Sequence, residues 1–509
     1  MTSTKIPRRL GYYPRYHGLW HLQASGLDIQ SVIGSGQEVP AWAAARARLA
    51  DPEAKPTRIV LIDTPVAKDH PNLAGALAQT TPIDITTDAP ELSKLAFITV
   101  TADKQALIDE VATALADKAG NTPDDPTKGD HPIMLRNTSL RNFSSHGTAM
   151  AGIIAGRPVT AALFARPETT AGDLLAQFEQ EVPPAPLPTT AVPASDPAAE
   201  GVDLGPDGLK STKVKGGATL IGLDLPYSGA DPTAEIVSIG FTALSRPHEF
   251  LTALEIAAKL SPDLIVMSVG LEVPVALTST DPDDRDPTDG FTHGDLWVPF
   301  KARMIEISQS VPILCAAGNQ AHKVSFPASL AEDTNGIISV GAITSADELA
   351  AYSPDDGVTI FAYSGDSTVY NRDIHRLDPF EPEVGRPSGV DGLDDEDEAP
   401  VTGPAAQEMI LTTDIPGPYG YSLSPYEVSW VRVTNDGVTQ DALLDFGSNF
   451  SAFNGTSAAV SLAAGLLSLA FSTETLAAGD SPMDLKRRMG ALGQKALTWN
   501  DLVNLPALA

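Results

Sequence analysis

Four side chains in this 509-residue sequence carry the groups that acyl-transfer chemistry requires, namely Asp63, His146, Asn319 and Ser457. A serine hydroxyl is an effective nucleophile only when a base removes its proton during attack. Histidine supplies such a base near neutral pH, and a carboxylate orients its ring. The tetrahedral intermediate also needs a hydrogen-bond donor for its oxyanion. Each residue taken alone has a structural interpretation as well, so the elements that position them matter.

Ser457 begins a stretch of Ala, Leu, Val and Ser that runs to Phe471. Gly455 permits a sharp turn before it, and the apolar composition predicts a helix inside a large core. Unpaired N–H groups and the helix dipole at such a start favour developing negative charge. The structural alternative is an N-cap serine. The 15 residues from Ser457 to Phe471 are too few for a membrane span.

The other three side chains lie at the ends or beginnings of predicted elements. Asp63 ends the apolar run 58–63, which is typical of a buried parallel strand with a functional carboxylate at its edge. Asn319 ends the apolar run 311–319, and His146 begins a helix-like run of small residues to Ala155. A turn acid and an ordinary core or surface histidine are the structural alternatives.

Strand and helix patterns alternate along much of the chain, which favours an α/β fold with a parallel sheet. Further strands are predicted at 95–100, 218–223, 235–239, 263–270 and 336–341. Helices are predicted at 40–50, 104–118, 249–260 and 296–310.

Composition limits the partners and the compartment. A net charge of −31 disfavours nucleic acid and anionic membrane surfaces as partners. The single cysteine, Cys315, cannot form an internal disulfide, which suits a reducing compartment. The first residues contain no continuous apolar region of the kind found in signal peptides. We therefore expect a cytoplasmic protein with no nucleic-acid or membrane partner.

The segments around these residues resemble the motifs of the subtilisin-like serine proteases, the subtilase family. The family's His-Gly-Thr-x-x-Ala-Gly is similar to residues 146–152, and its Gly-Thr-Ser-x-Ala is similar to residues 455–459. Residues 63–65 resemble Asp-Ser/Thr-Gly, residues 316–319 match Ala-Ala-Gly-Asn, and residues 268–270 resemble Ser-x-Gly. The chain order Asp, His, Ser is that of subtilisin.

The resemblance implies a three-layer fold with a mostly parallel central sheet, helices on both faces and large loop insertions. It implies that Ser457 attacks the scissile carbonyl and His146 takes and returns the proton. Asp63 would orient His146, while the Asn319 side chain and the Ser457 N–H would bind the oxyanion. Pro65 and Ser461 stand where the family has glycine and proline.

Two segments are implied to bind a protein or peptide substrate. Ser268, Val269 and Gly270 would pair with its backbone as an added strand. Together with Ala316, Ala317 and Gly318, they would form the walls of the first specificity pocket. No cofactor or metal is required; calcium enters by the resemblance alone, since the acidic loop 121–130 matches no defined calcium loop. An activating or regulatory protein partner is a further hypothesis.

The same resemblance divides the chain into three parts. Residues 1–55 form an extension, either packed on the surface or inhibitory. Residues 56–475 form the catalytic domain, and residues 476–509 a helical segment packed on it. Insertions are expected at about 74–140, 157–215, 275–295 and 366–445, of which residues 181–197 are Pro/Ala-rich and predicted to have no regular structure.

The leading hypothesis is an intracellular serine endopeptidase with restricted substrates. One alternative is an inactive subtilase-like scaffold used for binding or regulation. A sedolisin-like acid peptidase would need glutamate in place of His146. An α/β hydrolase would need Gly-x-Ser-x-Gly and the chain order Ser, Asp, His, which this sequence does not have.

Overall fold

The computed structural model describes residues 19–29, 38–67, 70–78, 83–84, 145–165, 199–203, 210–214, 219–225, 227–240, 247–271, 273–274, 297–321, 323–365, 410–414, 429–435, 438–445, 450–477 and 480–506. Its helices are α1 (Trp20–Ala24), α2 (Pro40–Leu49), α3 (Ser145–Ala155), α4 (Pro247–Lys259), α5 (Trp297–Ser308), α6 (Gly455–Ser472), α7 (Pro482–Gly490) and α8 (Trp499–Val503). Its strands are β1 (Arg58–Asp63), β2 (Ile83–Asp84), β3 (Val159–Ala165), β4 (Ala199–Asp203), β5 (Lys210–Val214), β6 (Thr219–Leu225), β7 (Glu235–Gly240), β8 (Leu264–Met267), β9 (Ile313–Ala316), β10 (Ile337–Ile343), β11 (Ile360–Tyr363), β12 (Ile410–Thr413), β13 (Ser429–Asn435), β14 (Val438–Asp445) and β15 (Phe450–Phe453).

A seven-stranded sheet forms the centre of the fold, in the order β11-β10-β9-β8-β1-β7-β2. Every neighbouring pair in it is parallel. Its strands are apolar on both faces: Ile59 and Leu61 of β1 belong to one core cluster, whereas Val60 and Ile62 belong to the other. This two-sided burial explains the continuous apolar runs in the sequence, because a parallel sheet is covered on both faces.

The two core clusters lie on opposite faces of the sheet. One contains residues of α2, α3 and α6, and the other contains residues of α4 and α5. Aromatic rings fill the second cluster, with Phe250, Trp297 and Phe300 in edge or tilted contacts at centroid distances of 5.3–5.9 Å. The expected three-layer arrangement with a mostly parallel sheet is therefore confirmed.

Helix α6 is the central helix of the first cluster, and all 18 of its residues are buried. It is long and apolar enough to cross a membrane by length and composition, but the protein encloses it completely. The shorter run counted from the sequence therefore understated its length. Near its C-terminal end, Ser468 and Ser472 donate hydrogen bonds of 2.6 and 2.8 Å to the fully buried Asp231. The N–H and hydroxyl groups of Thr233 donate to the other oxygen of Asp231, so both oxygens of this buried carboxyl group are hydrogen-bonded and α6 is fixed to it.

The strand predicted at 218–223 exists as β6, but its place in the parallel sheet was wrong. It lies in a separate antiparallel sheet of order β3-β6-β5-β4. Only four residues separate Val214 of β5 from Thr219 of β6, and a connection this short joins antiparallel neighbours. Strands β3, β4 and β5 also give regular structure to the insertion 157–215.

The insertion 366–445 likewise contains strands. The antiparallel pair β13–β14 lies within it, and β12 pairs with β15 just before α6. The predicted strand 95–100, the helix 104–118, the acidic loop 121–130 and the Pro/Ala-rich segment 181–197 lie outside the described residues. The insertion expected at 275–295 also lies outside them. The domain boundaries stay predictions.

The two terminal segments pack on the same core cluster as α6. Leu22 and Trp42 from the first 50 residues join Leu497 and Leu502 from the last turns in that cluster. Trp42 Nε1 also donates a 2.9 Å hydrogen bond to the carbonyl of Ala230, next to Asp231. These segments therefore contribute to the core that supports α6.

Candidate active site

Asp63 and His146 form a direct side-chain pair. Asp63 Oδ1 lies 2.6 Å from His146 Nδ1, although 83 residues separate the two in sequence. The carboxylate is buried, with 3% of its side chain exposed, and the imidazole is 22% exposed. Asp63 reaches this place because β1 ends there, and His146 is the second residue of α3. Since Nδ1 faces the carboxylate, Nε2 is the ring nitrogen left for proton exchange.

The two elements meet through a close backbone contact. A Cβ atom added at Gly147 would lie 1.8 Å from the carbonyl oxygen of Thr64, so only glycine fits between β1 and α3. The Gly147 N–H donates a 2.7 Å hydrogen bond to Thr64 Oγ1. The Thr64 N–H donates a bond of the same length to Asp63 Oδ1. These contacts fix the carboxylate before it meets the imidazole.

Ser457 is the third residue of α6 and is 8% exposed. The first residues of a helix have backbone N–H groups with no acceptor inside the helix. The His146 ring packs edge-on against Phe453, four residues before Ser457, with a centroid distance of 5.3 Å. Helices α3 and α6 also pack against each other. The fold therefore brings the proposed base and the start of the nucleophile helix to the same region.

Asn319 is held next to Ser457 by Thr456. Its side-chain oxygen accepts hydrogen bonds from the Thr456 N–H at 2.9 Å and the Thr456 hydroxyl at 3.0 Å. The Gly318 N–H in turn donates to the Thr456 hydroxyl at 3.0 Å. Asn319 is an exposed residue, and with its oxygen occupied in this way its Nδ2 group is left as a hydrogen-bond donor.

The family model for the subtilase family matches residues 54–489, which is most of the chain. The chain belongs to the subtilase family. It is a subtilisin-like serine peptidase. This result confirms the family, the fold class and the enzyme class expected from the motifs.

The solved structures that are similar to this subtilase include several subtilisin-like proteases. The nisin leader peptidase NisP of Lactococcus lactis is 13% identical, with a TM-score of 0.48, and the match covers 96% of this chain and 93% of that one. Fervidolysin of Fervidobacterium pennivorans is 14% identical with a TM-score of 0.42, and the match covers 96% of this chain and 46% of fervidolysin. The epidermin leader peptide processing protease EpiP of Staphylococcus aureus is 14% identical with a TM-score of 0.42, and the match covers 89% of this chain and 76% of EpiP. No curated protein matches the chain.

The two segments expected to bind substrate lie at the C-terminal ends of neighbouring strands. Ser268, Val269 and Gly270 follow β8, whereas Ala317 and Gly318 follow β9, of which Ala316 is the last residue. Gly270 is exposed, but Val269, Ala316, Ala317 and Gly318 are buried. The Ser268 hydroxyl is buried and has no hydrogen-bond partner among the residues that the structure describes.

Ser325 lies between these two segments and was missed by the sequence analysis. A Cβ atom added at Gly318, where φ is +104°, would lie 2.1 Å from Ser325 Oγ, and one at Gly270 would lie 3.4 Å from it. The Ser325 N–H donates a 2.7 Å hydrogen bond to the Ala317 carbonyl. No local motif marks this serine, because its place depends on how the chain returns to β8 and β9.

The two residues that depart from the family motifs, Ser461 and Pro65, lie in different kinds of structure. Ser461 continues α6 without a break, and its hydroxyl donates a 2.7 Å hydrogen bond to the Ser457 carbonyl. Pro65 follows the end of β1, next to the Thr64 contact with α3.

Among the described residues, no three His, Cys, Asp or Glu side chains cluster as metal ligands. Calcium binding stays an expectation from the family.

Proposed function

We propose that this subtilase hydrolyses peptide bonds through an acyl-enzyme on Ser457, with His146 as general base and Asp63 as the carboxylate that orients it. The observation that carries the proposal is the 2.6 Å Asp63–His146 pair next to the start of α6. The imidazole has its Nδ1 bound to Asp63, so Nε2 would accept the Ser457 proton and later deliver it to the leaving amine.

The oxyanion that forms during attack would be bound by Asn319 Nδ2 and the Ser457 N–H. The hydrogen bonds from Thr456 to the Asn319 oxygen support this role, because they fix which end of the amide is available as a donor. Preorganised donors of this kind stabilise the transition state without further reorganisation. The segment 268–270 would pair with the substrate backbone as an added strand, and together with the segment 316–318 it would form the walls of the first specificity pocket.

We also propose an intracellular enzyme with a restricted set of substrates. The one cysteine, Cys315, is buried and free, and burial raises the pKa of its thiol, so the fold does not depend on an oxidising compartment. Broad proteolysis inside a cell would be harmful, which is the reason for expecting few targets and control by a partner. Rapid digestion of casein by the purified protein without any activator would contradict this part of the proposal.

Fluorophosphonate labelling at pH 7.5 tests the proposed nucleophile. We expect one label per wild-type molecule and none in Ser457→Ala. Ser461→Ala is the matched control, because it removes a buried hydroxyl one helical turn further along α6 and should still be labelled. Absence of labelling in the wild type, also after limited proteolysis, would favour an inactive scaffold instead.

A further inference from the structure

Gly455, the first residue of α6, has both of its peptide groups bound by side chains from elsewhere in the chain. Its N–H donates a 3.1 Å hydrogen bond to the Tyr352 hydroxyl. Its carbonyl accepts a 2.9 Å hydrogen bond from the Ser364 hydroxyl. Ser364 is completely buried and follows β11, at the edge of the central sheet.

The two hydroxyl groups also contact each other. The Tyr352 hydroxyl lies 2.9 Å from Ser364 Oγ and 2.5 Å from the Gly365 carbonyl oxygen. The Ser364 hydroxyl donates its single proton to the Gly455 carbonyl. The Tyr352 hydroxyl therefore donates to Ser364 Oγ or to the Gly365 carbonyl, while its oxygen accepts from the Gly455 N–H. We call Tyr352 and Ser364 together the hydroxyl pair.

The conformation of Gly455 needs such support. Its φ is +82°, and glycine can adopt this value or change to another at little energetic cost, because it has no side chain to restrict the backbone. The next residue, Thr456, holds the Asn319 side chain through two hydrogen bonds, and Ser457 follows it. A rotation at Gly455 would therefore displace the proposed oxyanion donors and the proposed nucleophile together.

We propose that Tyr352 and Ser364 are positioning residues that fix Gly455 and, through it, the oxyanion donors of this peptidase. The role rests on the proposed function of Ser457 and Asn319. It predicts that Tyr352→Phe lowers kcat by about 10-fold and changes KM little. This loss is smaller than the loss expected when an oxyanion donor is removed. Ser364→Ala should lower kcat by a similar factor. The double variant should lose little more than either single variant, because the two residues act as one unit.

The test uses the small ester p-nitrophenyl acetate, which requires no knowledge of peptide preference. Acylation rates, kcat and KM are measured together with the inhibition constant of phenylboronic acid, which forms a tetrahedral adduct with an active serine. The control is Tyr363→Phe, because that hydroxyl donates to Asp347 and does not reach Gly455. We expect the boronate to bind more weakly in Tyr352→Phe in proportion to the loss of kcat/KM, and as in the wild type in Tyr363→Phe.

The possible failures are distinguishable. A wild type that neither turns over the ester nor reacts with fluorophosphonate would overturn the proposed function and this role with it. An active wild type with unchanged kcat and boronate affinity in Tyr352→Phe would overturn the positioning role alone. If Ser364→Ala fails to fold, Tyr352→Phe still decides, since it removes one oxygen and retains the ring. A lower thermal stability with unchanged kcat would likewise contradict the proposal.

Discussion

The two halves of the candidate active site are held in different ways. The acid–base half, residues 63–64 and 145–147, depends on backbone contact: Gly147 approaches the Thr64 carbonyl so closely that a Cβ atom would lie 1.8 Å from it. The nucleophile half, Asn319 and residues 455–457, depends on hydroxyl groups from Tyr352, Ser364 and Thr456. In this half the three atoms nearest to a Cβ atom added at Gly455 all belong to the Asn319 side chain, and the first of them lies at 3.1 Å.

This difference predicts different sensitivities. A backbone cannot move locally without moving its strand or helix, so the acid–base half should respond sharply to added volume. Hydrogen-bonded side chains can shift by tenths of an ångström, so the nucleophile half should respond more to loss of a hydroxyl than to an added methyl group. Matched substitutions in the two halves can therefore break or sharpen the comparison.

The largest effect is expected from Gly147→Ala. The new methyl group requires a displacement of about 1 Å between α3 and β1, which by itself can cost roughly 100-fold in rate. Overpacking should also lower the free energy of unfolding by about 1–3 kcal/mol. Ester turnover and urea unfolding measure the two effects.

Gly455→Ala is the matched substitution in the nucleophile half. It places alanine at a φ of +82°, which costs on the order of 1–2 kcal/mol, but the Asn319 side chain can yield. We expect a smaller loss of kcat than in Gly147→Ala. An equal or larger loss would show that the two halves are equally rigid and would remove the basis of the comparison.

The acid–base half was largely predictable from the sequence. Asp63 ends an apolar strand and His146 begins a small-residue helix, and both elements occur at these positions because local composition specifies them. The parallel sheet was predictable for the same reason, from strands such as β1, β8 and β10, which are apolar on both faces.

The support of the nucleophile half was not predictable. Tyr352 and Ser364 lie about 100 and 90 residues before Gly455, and no motif or period links them to it. The position of Ser325 next to Gly318 was likewise not marked by any local motif. The antiparallel placement of β6 was missed because its partners, β3 and β5, lie in the expected insertion 157–215, for which the sequence analysis predicted no strands. Long-range hydrogen bonds and strand pairing with an insertion were not visible in the local sequence patterns.

A second pair of substitutions removes one hydroxyl from each half. Thr456→Val deletes the hydroxyl that donates to Asn319 and accepts from the Gly318 N–H. The Asn319 oxygen then keeps only the bond from the Thr456 N–H, so the proposed oxyanion donor is held less firmly. We expect kcat to fall by roughly 10- to 100-fold, which is below the cost of losing an oxyanion donor outright. Thr64→Val deletes only the acceptor of the Gly147 N–H, a loss of about 1 kcal/mol or roughly 5-fold.

The ratio of the two effects is the informative quantity. Both substitutions exchange a hydroxyl for a methyl group of similar size, so changes in packing volume largely cancel. Steady-state ester kinetics with fluorophosphonate titration of active sites gives kcat for each variant. A larger loss in Thr64→Val than in Thr456→Val would mean that hydroxyl groups, and not backbone contact, position the acid–base half.

The smallest effect on catalysis is expected from His21, which belongs to neither half. His21 is fully buried, and neither ring nitrogen has a hydrogen-bond partner among the described residues. Burial lowers its pKa to about 3 from an ordinary value of 6.5. As the pH falls below 6.5, His21 therefore binds a proton in the unfolded chain but stays neutral in the folded chain. The free energy of unfolding should drop by about 1.4 kcal/mol for each pH unit in that range.

His21→Phe removes this contribution and keeps a ring of similar shape in the core. Urea unfolding at pH 7.5 and pH 5, performed in a Ser457→Ala background to prevent self-digestion, should show about 2 kcal/mol less loss of stability in the variant. Contributions from other buried histidines, such as His70, are the same in both proteins and cancel in the difference.

In the protein that retains Ser457, ester turnover per folded molecule at pH 7.5 should be unchanged by His21→Phe, since His21 lies in α1 and its ring nitrogens make no hydrogen bond to either half. Equal pH dependence in the two proteins would show that the His21 site accepts a proton without unfolding. A loss of turnover at pH 7.5 would instead place α1 among the elements that position the site.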